Sequence, residues 1–236
     1  MTTAETDRHR KAPLVILVNG PSSSGKSTLC HALLDRLTDV ADGDPEAAFA
    51  CVAYDDLGVL IAPTLFPISF VTLQGADVTG LVSRVPFDGR ACWEYVDESD
   101  AEGKHGGGPR VRVVFNSHGE RLLQGVHRSW GAHLSLGTNL IIDHFLQDSA
   151  WFEDVMQVLR ESGARVFTVG VFCSLAELER RESSRGDGKL EGRPLGLARR
   201  SDELCHLHPL VYDVTVRSDE EGTEQSVDRI MAALEA

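Results

Sequence analysis

Short, nearly all-apolar runs alternate along this chain with longer segments whose apolar residues recur every three or four positions. Leu14–Asn19 is a run of the first kind, the pattern of a strand buried on both faces. Residues 26–40 are of the second kind, with Leu29, Leu33 and Leu37 on one helical face. A second strand is expected over 48–54, closing at Asp55 and Asp56, and a helix over 120–136 with the stripe Leu123, Val126, Trp130 and Leu134. A third strand over 139–142 runs into Asp143. The rhythm then continues as helix 151–159, strand 165–172, helix 175–182, strand 211–216 and helix 226–234. Strands alternating with helices predict βαβ units. The expected fold class is therefore α/β, a five-stranded parallel sheet flanked by helices in one domain spanning 1–236.

Residues 63–118 break the rhythm. Pro63, Pro67, Pro86, Pro109 and the glycine-rich tract 103–108 interrupt any regular period. A structureless loop of that length is unusual inside a compact domain, so an inserted subdomain is expected, with short strands near 70–73 and 110–115.

Composition narrows the class. Of 236 residues, 42% are hydrophobic and 25% charged, ordinary values for a globular protein. A net charge of −13 argues against a broad nucleic-acid footprint. No apolar run is long enough for a signal sequence or a membrane span. The five cysteines form no C-x-x-C pair, which fits a reducing cytoplasm better than a disulfide framework. A cytoplasmic protein without nucleic-acid or membrane partners is expected. Its oligomeric state is not set by these features.

The strongest chemical signal is Gly20-Pro21-Ser22-Ser23-Ser24-Gly25-Lys26-Ser27, followed by Thr28, which fits G-x-x-x-x-G-K-S/T at every fixed position. Gly20 and Gly25 let the backbone curl so that successive N–H groups converge on phosphate oxygens. Lys26 would meet the β- and γ-phosphates, and the Ser27 hydroxyl would ligate Mg²⁺. A buried strand before the motif and an amphipathic helix after it supply the context that a P-loop requires, and the helix N-terminus adds its dipole.

In an open parallel sheet, ligands bind at the carboxyl ends of the strands. Asp55, Asp56 and Asp143 fall there. Asp55 is expected to receive the acceptor hydroxyl's proton, and Asp143, ending a Walker-B-like strand, to face Mg²⁺. Asp56 is as readily a helix cap. Further along, Arg180, Arg181, Arg185, Lys189 and Arg193 gather beside a Gly/Ser-rich stretch, predicting a lid loop over 183–196 whose Arg181 and Arg185 meet transferring phosphate. The alternative is a solvated helix face paired with Glu177, Glu179 and Glu182. Arg199 and Arg200 are expected on the surface. Cys205-His206-Leu207-His208 lacks a second ligand pair at zinc spacing. Asp55-x-x-Gly58 mimics a GTPase switch, but no N-K-x-D motif follows.

These residues resemble the chloramphenicol phosphotransferase-like P-loop kinases. The match rests on the cradle, Tyr54-Asp55-Asp56-Leu57, Arg121-Leu122-Leu123-Gln124-Gly125, Gly137 through Ile141-Ile142-Asp143, Arg181-Glu182-Ser183-Ser184-Arg185-Gly186-Asp187 and the segment from His206 to Val214. The resemblance implies a nucleotide-kinase-like core and transfer of a γ-phosphoryl group to an alcohol, typically on an antibiotic. The family's catalytic aspartate falls on Asp55 and its nucleotide-side arginines on Arg181 and Arg185. Where the family has a second acidic residue after its strand-end aspartate, this chain has His144. The function expected is an O-phosphotransferase using ATP or GTP with Mg²⁺ on a small-molecule alcohol. The alternatives are a metabolic kinase acting on a sugar, nucleoside or shikimate-like alcohol, and a nucleotide-binding switch or ATPase.

Overall fold

A computed structural model of the chain describes residues 12–56, 92–99, 108–185 and 194–235. Its central sheet has five parallel strands: β1 (Leu14–Asn19), β2 (Phe49–Ala53), β5 (Asn139–His144), β6 (Arg165–Phe172) and β7 (Val214–Arg217). Their spatial order is β2-β5-β1-β6-β7. A separate antiparallel pair joins β3 (Trp93–Asp97) to β4 (Val111–Phe115). Six helices complete the described architecture: α1 (Lys26–Ala41), α2 (Ser117–Ser135), α3 (Ser149–Ser162), α4 (Leu175–Arg185), α5 (Leu197–Cys205) and α6 (Thr223–Glu235). Among the described residues no helix is long and apolar enough to cross a membrane.

The period-two geometry of β1 explains its unbroken apolar sequence. Val15 and Leu17 face one core with Leu140, Ile142, Leu123, Trp130 and Val155, while Ile16 and Val18 face another with Leu29, Leu33, Ile141 and Val227. Helices α2 and α3 cover the first face, and α1 and α6 cover the second. All four apolar residues expected on the α2 stripe are buried. Side-chain caps hold two of these helices at their starts. Asn116 accepts from the backbone N–H groups of His118 and Gly119, and Asp148 accepts from that of Trp151.

The region 63–118 is described only in part. The candidate strand at 70–73 lies outside the described residues, and that near 110–115 is β4. Its partner β3 was not expected, because Trp93-Glu94-Tyr95-Val96-Asp97 mixes charges into the apolar pattern. The pair is fastened to the main body. Trp93 and Phe115 lie 5.6 Å apart, Phe115 meets Trp151 of α3 edge-on at 5.2 Å, and Gln147 donates to the Val113 carbonyl at 2.7 Å. Residues 117 and 118 already belong to α2. The expected lid loop also shortens: α4 runs to Arg185 and α5 starts at Leu197, while residues 186–193 lie outside the described part.

Candidate active site

The loop between β1 and α1 stands at the carboxyl edge of the sheet, with β5 and β6 on either side of β1. Its curl is written in its backbone. Gly25 has φ of 88°, and Ser23 occupies the same left-handed region at 66° without being glycine. At Gly20 a Cβ would lie 2.5 Å from the Val171 carbonyl oxygen, so only glycine lets the loop pass so close to β6. The result is a concave run of amides at the N-terminus of α1, the geometry that binds phosphate.

Around this cradle stand side chains from distant parts of the chain. Ser27 Oγ donates to Asp143 Oδ2 at 2.6 Å across 116 positions of sequence, and Asp143 is 7% exposed. The carboxylate and hydroxyl together form a hard-oxygen pair of the kind that suits Mg²⁺ beside a triphosphate. Lys26 is buried, and its Nζ donates to the Pro21 carbonyl at 2.9 Å, so its ammonium lies folded over the cradle instead of reaching outward.

Two clefts flank the loop. The larger, of about 360 Å³, is lined by Ser23, Ser24, Gly25, Thr28, Arg181, Ser218 and Glu221, among others. Arg181 forms one wall and is anchored there. Its guanidinium donates to the Ser24 carbonyl at 3.3 Å, the Ser218 carbonyl at 2.8 Å, the Ser218 hydroxyl at 3.1 Å and Glu177 at 2.8 Å. Hydrogen bonds from Arg180 and Arg181 hold the Glu177 carboxyl down to about 2. The smaller cleft, of about 70 Å³, brings Lys26, Ser27 and Asp143 together with Tyr54, Asp55, Phe145 and Leu197. Asp55 is exposed in the short turn Tyr54–Asp56 that follows β2. The side chains of Asp56 and Arg185 lie outside the described residues.

The expected alternatives for the arginine cluster divide. Arg180 does pair with Glu177 on an exposed helix face. Arg199 and Arg200, expected on the surface, are instead half-buried joints. Arg199 binds Glu179 of α4 at 2.8 Å, and Arg200 binds Glu98 after β3 at 2.6 Å. Glu182 has no arginine partner among the described residues. Its two oxygens accept the N–H groups of Gly196 and Ala198 at 2.8 and 2.7 Å, capping α5 from α4.

One polar cluster escaped the sequence reading. His127 Nδ1 lies 2.6 Å from Asp154, and its Nε2 lies 3.1 Å from Nε2 of His144. With its proton on Nδ1 toward the carboxylate, His127 accepts from His144, which leaves His144 Nδ1 bare and without a hydrogen-bond partner among the described residues. Burial pushes His144 well below its ordinary range, and it stacks on Tyr54 at 5.4 Å. Thus His144 is a packed core residue behind the site. His206 and His208 make no metal cluster, and no group of three potential ligands occurs among the described residues. His206 Nδ1 meets the Tyr212 hydroxyl at 2.7 Å, and the ring stacks on Phe172 at 4.1 Å.

The chain belongs to the chloramphenicol phosphotransferase-like family, whose model matches residues 99–235. That span holds Asp143, Arg181 and Ser201, while the cradle precedes it. No curated protein matches significantly. Solved structures share the fold at low identity. An APS kinase of Mycobacterium tuberculosis, solved with AMPPNP and APS, is 13% identical over 95% of this chain and 99% of its own, with a TM-score of 0.54. A Sinorhizobium meliloti gluconokinase is 16% identical over 96% and 94%, with a TM-score of 0.53. Kti12 of Chaetomium thermophilum, solved with ADP-AlF3, is 13% identical over 93% and 98%, with a TM-score of 0.52. The chain therefore shares its α/β fold with these structures.

Proposed function

We propose that this chloramphenicol phosphotransferase-like protein transfers the γ-phosphoryl group of ATP or GTP to a hydroxyl of a small molecule, and that the acceptor is an antibiotic. One observation carries the reading: Lys26, Ser27, Asp143 and Asp55 line a single cleft beside the P-loop. A kinase uses a carboxylate so placed to hold its acceptor hydroxyl, and the absence of an N-K-x-D motif after Asp55-x-x-Gly58 disfavours a guanine-nucleotide switch.

The roles follow from chemistry. Backbone amides of the cradle bind the phosphates, and Lys26 offsets the charge that spreads over the γ-phosphoryl oxygens. Ser27 and Asp143 would hold Mg²⁺, which when bound supplies positive charge to the β- and γ-oxygens. Asp55 accepts a hydrogen bond from the acceptor hydroxyl, aims its oxygen at the γ-phosphorus, and takes its proton. The new O–P bond forms as the bond from phosphorus to the β-bridging oxygen breaks, releasing the nucleoside diphosphate. Arg181, fixed against Ser24, borders the larger cleft where the nucleoside would lie, and Arg185 at the end of α4 would meet transferred phosphate.

The acceptor side has the aromatic wall of Tyr54 and Phe145 with Leu197, apolar surface suited to a hydrophobic alcohol. The test is an acceptor screen with purified protein, Mg²⁺ and either ATP or GTP, read by mass gain of one phosphate. The panel holds chloramphenicol and other hydroxyl-bearing antibiotics beside sugars, nucleosides and shikimate-like alcohols. Phosphorylation of an antibiotic is the expected result. Phosphorylation confined to the metabolic alcohols would overturn the antibiotic assignment, and nucleotide turnover indifferent to every alcohol would overturn the kinase.

A further inference from the structure

Helix α5 lays one polar side chain against the cradle. Ser201 is 2% exposed, on the helix face that also buries Leu197, Ala198 and Cys205. Its hydroxyl donates to the Ala198 carbonyl at 2.9 Å, and its oxygen accepts the backbone N–H of Ser22 at 2.8 Å. A hydroxyl has one proton to give. With that proton committed inside the helix, the oxygen is left oriented as an acceptor for the loop.

Ser22 immediately precedes Ser23, the residue held at a φ of 66°. The strained turn that carries the amides of Ser23 and Gly25, and in which the Ser24 N–H donates back to the Pro21 carbonyl at 3.3 Å, is thus fixed on its upstream side by a side chain 179 positions away in sequence. The same helix holds the root of the loop as well. The Cys205 carbonyl accepts from Asn19 Nδ2 at 2.7 Å, and Asn19 directly precedes Gly20. Helix α5 therefore grips the chain on both sides of Gly20 and Pro21. Its own place is set from the far side by the Arg200–Glu98 pair, by Arg110 on Glu203 at 2.7 Å, and by the Val111 N–H on the Gly196 carbonyl at 3.1 Å.

We propose that Ser201 is a positioning residue for phosphate binding: it pins the Ser22 amide so that the cradle is shaped before nucleotide arrives. The proposal rests on the nucleotide reading in naming the cradle's ligand. Its physical content is preorganisation. A loop already fixed in its binding shape spends less of its interaction energy on ordering itself.

The test compares Ser201→Ala with Ser201→Thr, which keeps the hydroxyl, and with Ser135→Ala. Ser135 makes the same bond to a carbonyl three residues back, at 2.7 Å, but lies on α2 and touches no part of the cradle. Calorimetric Kd values for ADP, GDP, tripolyphosphate and the free nucleosides are measured on the full chain beside thermal midpoints. Ser201→Ala is expected to weaken tripolyphosphate and the preferred diphosphate about tenfold, or ~1.4 kcal/mol. Nucleoside binding should change less than twofold, with Ser201→Thr restoring affinity and Ser135→Ala changing nothing. A merely structural serine would lower the midpoint and leave the phosphate Kd of the folded protein intact, and that result overturns the proposal. Should Ser201→Ala not fold, Ser201→Cys, whose sulfur is a weaker acceptor, is measured in its place against the same criterion. Wild-type protein that binds neither diphosphate nor tripolyphosphate overturns the nucleotide reading and this inference together. Wild-type protein that binds them, with a variant that binds equally well, overturns this inference alone.

Discussion

The two sides of the candidate site are built in different ways. On the proposed phosphate side the groups are mostly backbone amides within residues 20–28, and their direction comes from local dihedral angles at Ser23 and Gly25. On the proposed acceptor side they are side chains gathered from the end of β2, the end of β5 and the start of α5: Tyr54, Asp55, Phe145 and Leu197, which line one cleft. Phosphate is the same ligand in every such enzyme, so a short local motif can recognise it. An acceptor alcohol is particular, and its recognition needs shape contributed by several distant elements. A fold can therefore keep the first side fixed while the second varies.

Substitutions that separate the two sides test this contrast. The largest effect is expected for Lys26→Ala, which should lower turnover by roughly 10²-fold or more with the thermal midpoint near wild type, measured by steady-state kinetics and calorimetry. Turnover above a tenth of wild type would remove Lys26 from the phosphoryl-transfer step. Asp55→Asn comes next. Single-turnover transfer should fall by up to about 10²-fold while the nucleotide Kd stays put, because asparagine can orient the hydroxyl yet cannot take its proton. Equal losses in nucleotide binding and transfer would mean that the two sides are not separable at Asp55.

A smaller loss, on the order of tenfold in nucleotide affinity, is expected for Arg181→Ala. That variant removes charge-assisted hydrogen bonds to Ser24 and Ser218, while the acceptor KM should stay unchanged. A shift in acceptor KM alone would move Arg181 to the other side of the site. The smallest effect is one of pH on stability, behind the cradle. Burial lowers His206 from its ordinary 6.5 to about 4. The unfolded chain therefore binds a proton near 6.5 that the folded chain refuses until about 4. Its contribution to stability is complete above 6.5 and is lost as pH falls through that range. Denaturant midpoints for wild type and His206→Gln should converge toward pH 4. Parallel curves would exclude His206 as the titrating group.

Much of the phosphate side was legible because its signals are local or topological. The stripe Leu29, Leu33, Leu37 lies buried on α1 as its spacing implies. The meeting of Ser27 with Asp143 follows once parallel strands are recognised, since their carboxyl ends share one edge. What escaped depends on tertiary packing of polar residues. Ser201 sits in the stretch Arg199-Arg200-Ser201-Asp202-Glu203, which reads as solvated surface. Its only signal was helical spacing from Leu197 and Ala198 to Cys205, which places Ser201 on the buried face. Arg199 and Arg200 were misplaced for the same reason, as their partners Glu179 and Glu98 come from other elements. His144 drew notice beside Asp143, yet nothing local shows that a ring so placed turns inward toward His127, 17 residues earlier.

That inward turn supplies the candidate site with a built-in spectroscopic observer. In the tautomer that puts its proton on Nδ1, His127 holds that proton against Asp154 in a ring only 1% exposed, where exchange with bulk water is expected to be slow. Its hydrogen bond to a carboxylate is expected to move its resonance downfield of the amide region. The His144 proton shared between the two Nε2 atoms lies next to it, under a ring that stacks on Tyr54, the residue before Asp55. Any ligand that shifts Tyr54 changes the ring current over this pair. Occupancy of the proposed acceptor cleft is therefore expected to be readable in unlabelled protein from these two ring protons, without knowing in advance which molecule fills it.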